Sequence, residues 1–175
     1  MKKYLRLERI FISQYLKQLM EYKGDFLVGI VGVFLTQGLN ILFLTIIFSQ
    51  IPNLQGWSFK QIIFIYGFSL LPKGIDHLFF DNLWLVSYFL VRKGDFDKYL
   101  TRPINTLFYV SVEIFQVDAF GELLVGILLL VSSVGIVQWT LVKGLLFLLI
   151  LPFATSIYTS LKIMTASLAF WTKTS

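Results

Sequence analysis

The chain has 175 residues, of which 57% are hydrophobic and only 14% are charged, and its formal net charge is +5. Soluble domains contain about 25% charged residues, and the apolar runs here reach the length of a bilayer span. Composition therefore excludes an ordinary soluble protein and predicts an all-α polytopic membrane protein. The absence of cysteine excludes disulfides and thiolate metal sites. The basic residues lie at the ends of apolar runs, so membrane topology explains the positive charge and nucleic-acid binding is not expected.

The N-terminal segment, residues 1–24, is rich in lysine and arginine and repeats apolar residues at helical spacing. This pattern predicts an amphipathic helix that lies in the headgroup plane rather than crossing the membrane. An ordinary soluble helix is the alternative. The segment lacks the uninterrupted apolar region and the small-residue cleavage site of a signal peptide, so we expect the first span to be retained.

The first predicted span is residues 26–48, long enough to cross a core of about 30 Å. Three of its residues are glycines that permit close helix packing: Gly29, Gly32 and Gly38. Gln37 and Asn40 are polar, so they should face protein or a cavity. They are candidates for a translocation path, with plain hydrogen bonding between helices as the alternative.

The second predicted span, residues 59–80, follows a polar loop (49–58) that carries no lysine or arginine, as is typical of the outer side. Pro72 removes one helical hydrogen bond and predicts a kink. Three ionisable residues share one face of this span at spacings i, i+3 and i+4: Lys73, Asp76 and His77. This face should point to protein or water, which makes the three residues further candidates for the translocation path.

A charged island, Arg92–Pro103 (RKGDFDKYLTRP), lies within the region 82–103. An ion at the bilayer centre costs about 3 kcal/mol, so the island should lie in water on the side that accumulates basic residues, the cytoplasm. Gly94 interrupts its helical pattern, and Pro103 ends it because the residue before a proline avoids the helical conformation.

The third predicted span is residues 119–137, with 104–118 as an inner interfacial extension of the same helix. Three carboxylates precede its apolar part: Glu113, Asp118 and Glu122. They could act as paired catalytic carboxylates. Alternatively, they lie at the interface or pair with Lys73 or Lys162. The fourth predicted span is residues 144–171, in which Lys162 near the inner end should extend toward water.

The distribution of basic residues predicts the topology. Eleven lysines and arginines fall in segments assigned to the inner side, against two, Lys60 and Lys143, at the outer loops. Both termini should therefore be cytoplasmic. The tryptophans agree, since Trp57 and Trp139 fall at outer ends of spans and Trp84 and Trp171 at inner ends.

Catalytic motifs are absent from the sequence. It has no G-x-x-x-x-G-K-[ST] loop for nucleotide phosphates, no H-E-x-x-H motif and no Cys/His cluster. No catalytic residue and no metal site are therefore predicted. Two alternatives to a transport function stay open: a membrane-bound enzyme that uses Asp76, His77 and Asp81, or an accessory structural subunit.

Three stretches resemble the ABC-2 type permease family, in particular the membrane subunits of ABC exporters. They are Gly56–Ser58 (G-W-S), Val91–Asn105 and Ser167–Thr172 (S-L-A-F-W-T). The signature of that branch, G-x-[LF]-D-x-Y-L-x-R-P, is matched by seven residues: Gly94, Phe96, Asp97, Tyr99, Leu100, Arg102 and Pro103.

The resemblance implies a permease in the cell membrane that pairs with a second permease copy or a paralogue and with cytoplasmic ABC ATPase subunits. The chain itself would not be an enzyme and would hold no cofactor, because ATP binds to the partner subunit. Permeases of this family have six spans, so the four found here predict a truncated chain.

The charged island would be the coupling helix that docks into the ATPase. The implied docking residues are Arg92, Gly94, Phe96, Asp97, Tyr99, Leu100, Arg102 and Pro103. Phe96, Tyr99 and Leu100 would supply apolar contact. Arg92, Asp97 and Arg102 would orient the helix through charge-assisted hydrogen bonds. For Asp97 and Arg102, an intramolecular ion pair is the alternative.

Overall fold

The computed structural model describes residues 2–21, 23–51 and 53–172, and these residues are mostly helical. Its α-helices are α1 Lys2–Glu21, α2 Lys23–Gln50, α3 Phe59–Phe80, α4 Asn82–Leu85, α5 Val91–Lys93, α6 Asp97–Leu100, α7 Thr106–Val112, α8 Ala119–Ser133 and α9 Leu141–Ala169. A π-helix, Val86–Leu90, joins α4 to α5, and a 3-10 helix, Val134–Ile136, follows α8. The predicted all-α class is confirmed.

Four helices in the described part of the chain are long and apolar enough to cross a membrane: Phe26–Gln50, Phe59–Phe80, Ala119–Ile136 and Leu141–Ala169. The second lies where the hydropathy pattern placed it, and the other three differ from the predicted spans by one to three residues at their ends. Helices α3 and α9 continue through Pro72 and Pro152 respectively.

A small β-hairpin lies within the polar loop predicted between the first two spans. Strands β1 (Asn53–Leu54) and β2 (Trp57–Ser58) are antiparallel. The two turn residues, Gln55 and Gly56, have φ angles of 49° and 90°. Positive φ at both turn positions is the geometry that two-residue hairpin loops favour, because it matches the twist of the strands.

The charged island contains the expected short helix, α6. Gly94, with a φ of 78°, ends the preceding helix α5. The left-handed conformation at that position is typical of a glycine that terminates a helix. Residues 101–104, after α6, form bends rather than helix. Helix α6 is therefore a single turn with non-helical chain on both sides.

The prediction of one continuous helix from residue 104 into the third span is wrong. Helix α7 begins after Asn105, whose side chain caps it by accepting a hydrogen bond from the Phe108 N–H at 3.0 Å. Residues 113–118 are not helical. There the N–H of Gln116 donates to the carbonyl of Leu78 at 3.3 Å, while Phe115 and Val117 are buried. The side chains of Phe115 and Val117 are thus buried in the segment where the helix is interrupted.

The chain divides into two compact units. Unit 1 comprises Met1–Lys23, Asp76–Val117 and Ser156–Ser175, and unit 2 comprises Gly24–Ile75 and Asp118–Thr155. The core of unit 1 includes Tyr99 of the charged island and consists of Leu83, Val86, Leu90, Val91, Tyr99, Tyr109, Val110 and Ala166.

Close helix packing in unit 2 depends on glycines of α3 and α8. Of those predicted in α2, Gly29 has a neighbour at ordinary contact distance, with Asp118 Cβ 3.6 Å from an added Cβ. A Cβ added at Gly67 would lie 2.9 Å from Leu129 Cβ and 3.1 Å from the Gly126 carbonyl oxygen. Such short spacings require a residue without a side chain. No described atom lies within 4 Å of a Cβ added at Gly32 or Gly38.

Candidate functional site

Helix α6 is held in unit 1 by Tyr99. This side chain is only 1% exposed, and its ring packs against the rings of Phe96 and Tyr109 with centroid distances of 5.8 and 5.0 Å. The other residues of α6, among them Leu100 at 61% exposure, face outward. The helix therefore has one buried anchor and one open surface.

The carboxylate of Glu113 binds α6 from the end of α7. The Tyr99 hydroxyl donates a hydrogen bond to Glu113 Oε2. Lys98 Nζ lies 3.3 Å from Glu113 Oε1 and 4.7 Å from the centroid of the Tyr99 ring. Two neighbouring residues of α6 thus share one carboxylate.

These contacts shift both pKa values in the same direction. Burial raises the pKa of the Tyr99 phenol, and its hydrogen bond to Glu113 raises it further. Burial lowers the pKa of Lys98. Its bond to Tyr99 and the charge of Glu113 outweigh that effect, and the pKa of Lys98 is raised. Both groups therefore keep their protons at neutral pH.

The structure separates the residues expected to dock an ATPase into exposed and buried ones. The exposed ones are Gly94, Asp97, Leu100, Arg102 and Pro103. Phe96 is half-buried and packs edge-on against Phe170, with ring centroids 5.0 Å apart. Tyr99 does not offer its ring to a partner, because it fills the core beneath the surface. The side chain of Arg92 lies outside the described residues.

The two orienting charges of the island are not paired with each other. The described side chains form no Asp97–Arg102 ion pair. The Arg102 guanidinium carbon instead lies 5.0 Å from the centroid of the Tyr109 ring, a cation–π contact. Asp97 lies in the first turn of α6, where a negative charge is favourable.

A buried charge cluster in unit 1 joins α9 to the end of α3. Lys162 Nζ lies 2.7 Å from Asp76 Oδ2 and 2.9 Å from Asp81 Oδ1. The side chains of Lys162 and Asp76 are only 8% and 3% exposed, and Thr159 donates to Asp76 at 2.6 Å. The expectation that Lys162 extends to water is therefore wrong, since two carboxylates hold it inside.

His77 lies at the edge of this cluster, with its Nε2 3.6 Å from Asp81 Oδ2. Among the described residues, no group of histidines and carboxylates could hold a metal ion. The carboxylates that an enzyme would need, Asp76 and Asp81, are both engaged by Lys162. Lys162 contacts one oxygen of each carboxylate, and Asp76 is buried, whereas Asp81 is partly exposed.

Unit 2 contains a second ion pair, Lys73 with Glu122, whose Nζ and Oε1 atoms are 2.8 Å apart. Glu122 is buried, whereas the Lys73 side chain is 47% exposed. Of the alternatives for the three carboxylates, the pairing of Glu122 with Lys73 is the one observed. Lys73 and Asp76, which were predicted to share one face of the second span, thus pair with different residues, Glu122 and Lys162 respectively.

The two polar residues of the first span form a hydrogen-bonded chain in unit 2. Asn40 Nδ2 donates to the Tyr66 hydroxyl at 3.1 Å, and that hydroxyl donates to Gln37 Oε1. Tyr66 belongs to α3, so the chain links the first two spans. Gln37 is buried and Asn40 is exposed.

Sequence reasoning missed the observed partners of Lys162, Tyr66 and Glu113. Lys162 carried a usable signal, because a lysine within an apolar span has to find a carboxylate if it does not reach water. No sequence pattern indicates the pairing of Glu113 with Lys98 and Tyr99, because fourteen or fifteen residues separate the partners.

Four apolar helices of span length, with internally paired charges, define a multi-pass membrane protein. A family model described as "ABC-2 family transporter protein" matches residues 34–175. The chain therefore belongs to the ABC-2 transporter family, and it is a permease component of an ABC transporter, a membrane subunit that is not itself catalytic. Family membership also implies association with an ABC ATPase. Neither a curated protein nor a solved structure matches the chain.

Proposed function

We propose that this permease subunit works in an ABC exporter of the cell membrane and couples ATP hydrolysis by a separate cytoplasmic ATPase to substrate movement. The exposed surface of α6 would be the docking element. The observation that carries this proposal is the construction of α6: a single exposed turn whose Tyr99 is anchored in the core of unit 1. A second permease copy or a paralogue would complete the translocation unit.

The exposed chemistry of α6 suits a protein partner. Leu100 presents an apolar side chain, with Asp97 in the same turn and Arg102 and Pro103 following directly. An apolar contact surrounded by charges that fix orientation is typical of specific protein interfaces. The excess of basic residues in the segments assigned to the inner side supports a cytoplasmic position, where the ATPase would lie.

The translocation path would involve polar residues of the first two spans. Gln37, Asn40, Lys73, Asp76 and His77 remain the candidates. Polar and ionisable residues within spans commonly mark such paths. Their hydrogen bonds and ion pairs would have to rearrange, or remain as the walls of the path, while substrate passes.

Docking is tested by co-expressing the chain with a candidate ABC ATPase and measuring co-purification. The candidate is sought among genes near that of the permease by its G-x-x-x-x-G-K-[ST] loop. We expect wild type to retain the ATPase, and Leu100→Glu to lose it, because the substitution places a charge in the apolar contact. Leu54→Glu is the matched control, since Leu54 is an exposed leucine of the hairpin.

Arg102→Ala tests the orienting charge and should weaken co-purification less than Leu100→Glu. Binding of the ATPase by Leu100→Glu at the wild-type level would rule out docking through α6. Failure of wild type to bind the ATPase would rule out the coupling function as a whole.

A further inference from the structure

The chain on either side of α6 is poorly suited to transmit a displacement. Gly94 is left-handed on one side, and residues 101–104 form bends on the other. A helix of one turn cannot maintain itself, because its hydrogen bonds do not offset the cost of nucleation. The position of α6 must therefore be set by contacts through space.

Two directional contacts from α6 meet at Glu113, while the Tyr99 hydroxyl also interacts with the Asn82 side chain. The Glu113 carboxylate accepts the Tyr99 hydroxyl and lies 3.3 Å from the Lys98 ammonium. Both are charge-assisted hydrogen bonds, which are stronger and more sensitive to geometry than neutral ones. The Tyr99 ring also packs on Tyr109 of α7, so the ring contact and the bonds to Glu113 both lead from α6 to α7.

Glu113 is also well placed along the chain. It is the C-terminal cap of α7, and its N–H donates to the Tyr109 carbonyl at 3.1 Å. The non-helical residues 113–118 then lead directly to α8, the third membrane helix. A carboxylate at this junction connects α6 to the segment that enters the third span.

We propose that Glu113 is the positioning residue through which displacement of α6 reaches the third span, with Tyr99 and Lys98 as its two contacts. This inference rests on the proposed docking function. The residue touches neither ATP nor substrate, so its effect should appear in coupling and not in nucleotide binding.

The first experiment measures the attachment of α6 in the chain alone. The protein has no cysteine, so Leu100→Cys provides a single site for a spin label. We expect an ordered label in the otherwise wild-type chain and a more mobile one when Glu113→Gln or Tyr99→Phe is added. Tyr99→Phe keeps the ring packing and removes only the hydroxyl. The matched controls, Glu8→Gln and Tyr158→Phe, should leave the label ordered.

The second experiment measures coupling in the complex with the co-expressed ATPase, without the label. For Glu113→Gln we expect the ATPase to co-purify and its KM for ATP to stay unchanged. The effect of the permease on kcat should fall about fivefold or more, the lower end of typical coupling between linked sites. A variant that merely misfolded would lose co-purification instead.

The outcomes separate the two proposals. An ordered label in Glu113→Gln, or a normal permease effect on kcat in its complex, would overturn the role of Glu113 while leaving docking intact. If wild type fails to bind the ATPase, the proposed function fails and this inference fails with it. Mobile labels in Glu113→Gln and Tyr99→Phe, together with the selective loss in kcat, would support it.

Discussion

Lys162 holds two carboxylates of α3 and its C-terminal flank, and its own side chain and that of Asp76 are buried, whereas Asp81 is partly exposed. In a buried cluster the desolvation of each ion is offset only by its partners. Removal of the lysine would leave Asp76 and Asp81 close together without their cation. The cluster is therefore sensitive to the loss of a single side chain.

Lys162→Met should lower the free energy of unfolding by about 3–5 kcal/mol, the usual effect of breaking a buried ion pair from one side. Thermal unfolding in detergent, followed by tryptophan fluorescence, would measure it. The exposed Lys60→Met is the control and should have little effect. The triple variant Lys162→Met/Asp76→Asn/Asp81→Asn should recover part of the loss. An unchanged Tm for Lys162→Met would contradict the pairing.

In alkaline solution, the hydrogen bond between Tyr99 and Glu113 should weaken as the Tyr99 phenol ionises. Because the pKa of Tyr99 is raised above its ordinary value of about 10, the stabilisation is fully present below pH 10. It is lost as the pH rises through the folded-state pKa. The pKa of Lys98 is also raised, so its stabilising contribution is lost in alkaline solution too. In the tyrosine absorbance titration, wild type minus Tyr99→Phe should show one phenol that ionises above pH 10. Ionisation at or below pH 10 would contradict its burial.

At the scale of elements, α3 and α8 pack in unit 2 with backbone close to backbone at Gly67. Gly67 faces Gly126 and Leu129 so closely that even a methyl group would overlap them. In α2, by contrast, Gly38 has no described neighbour within 4 Å of an added Cβ. Two glycines within apolar helices thus differ in their contribution to helix packing: Gly67 is needed for it and Gly38 is not.

Gly67→Ala should destabilise the protein by about 1–3 kcal/mol, because the added methyl overpacks a contact that includes rigid backbone. Gly38→Ala should be neutral or slightly stabilising, since alanine favours helix and meets open space. A comparison of Tm values in detergent would test both. Equal effects of the two substitutions would contradict the packing of α3 on α8.

At the scale of the whole molecule, orientation in the membrane follows from the distribution of basic residues. The hairpin between the first two spans should face outward, and the charged island should face the cytoplasm. This assignment decides whether α6 can meet a cytoplasmic ATPase at all.

Thiol labelling would test the orientation in intact cells with a membrane-impermeant reagent. Gln55→Cys, in the hairpin turn, should react, whereas Leu100→Cys should react only in inside-out vesicles. Both positions are exposed, so lack of reaction would report sidedness and not burial. Labelling of Leu100→Cys in intact cells would contradict the topology and the docking proposal.

The sequence by itself determined the membrane class, the four spans and the short helix in the charged island. These follow from hydropathy over about twenty residues, from charge and from glycine and proline, all of which act locally. The resemblance carried by Gly94–Pro103 also led to the family that the comparison establishes.

Only the tertiary structure decided which charges pair and which side of α6 is open. Lys162 meets Asp76 across 86 positions of sequence, and Tyr99 meets Glu113 across 14. No local pattern encodes such partners, because they depend on how helices pack. The same packing places Tyr99, an expected docking contact, in the core beneath the exposed residues of α6.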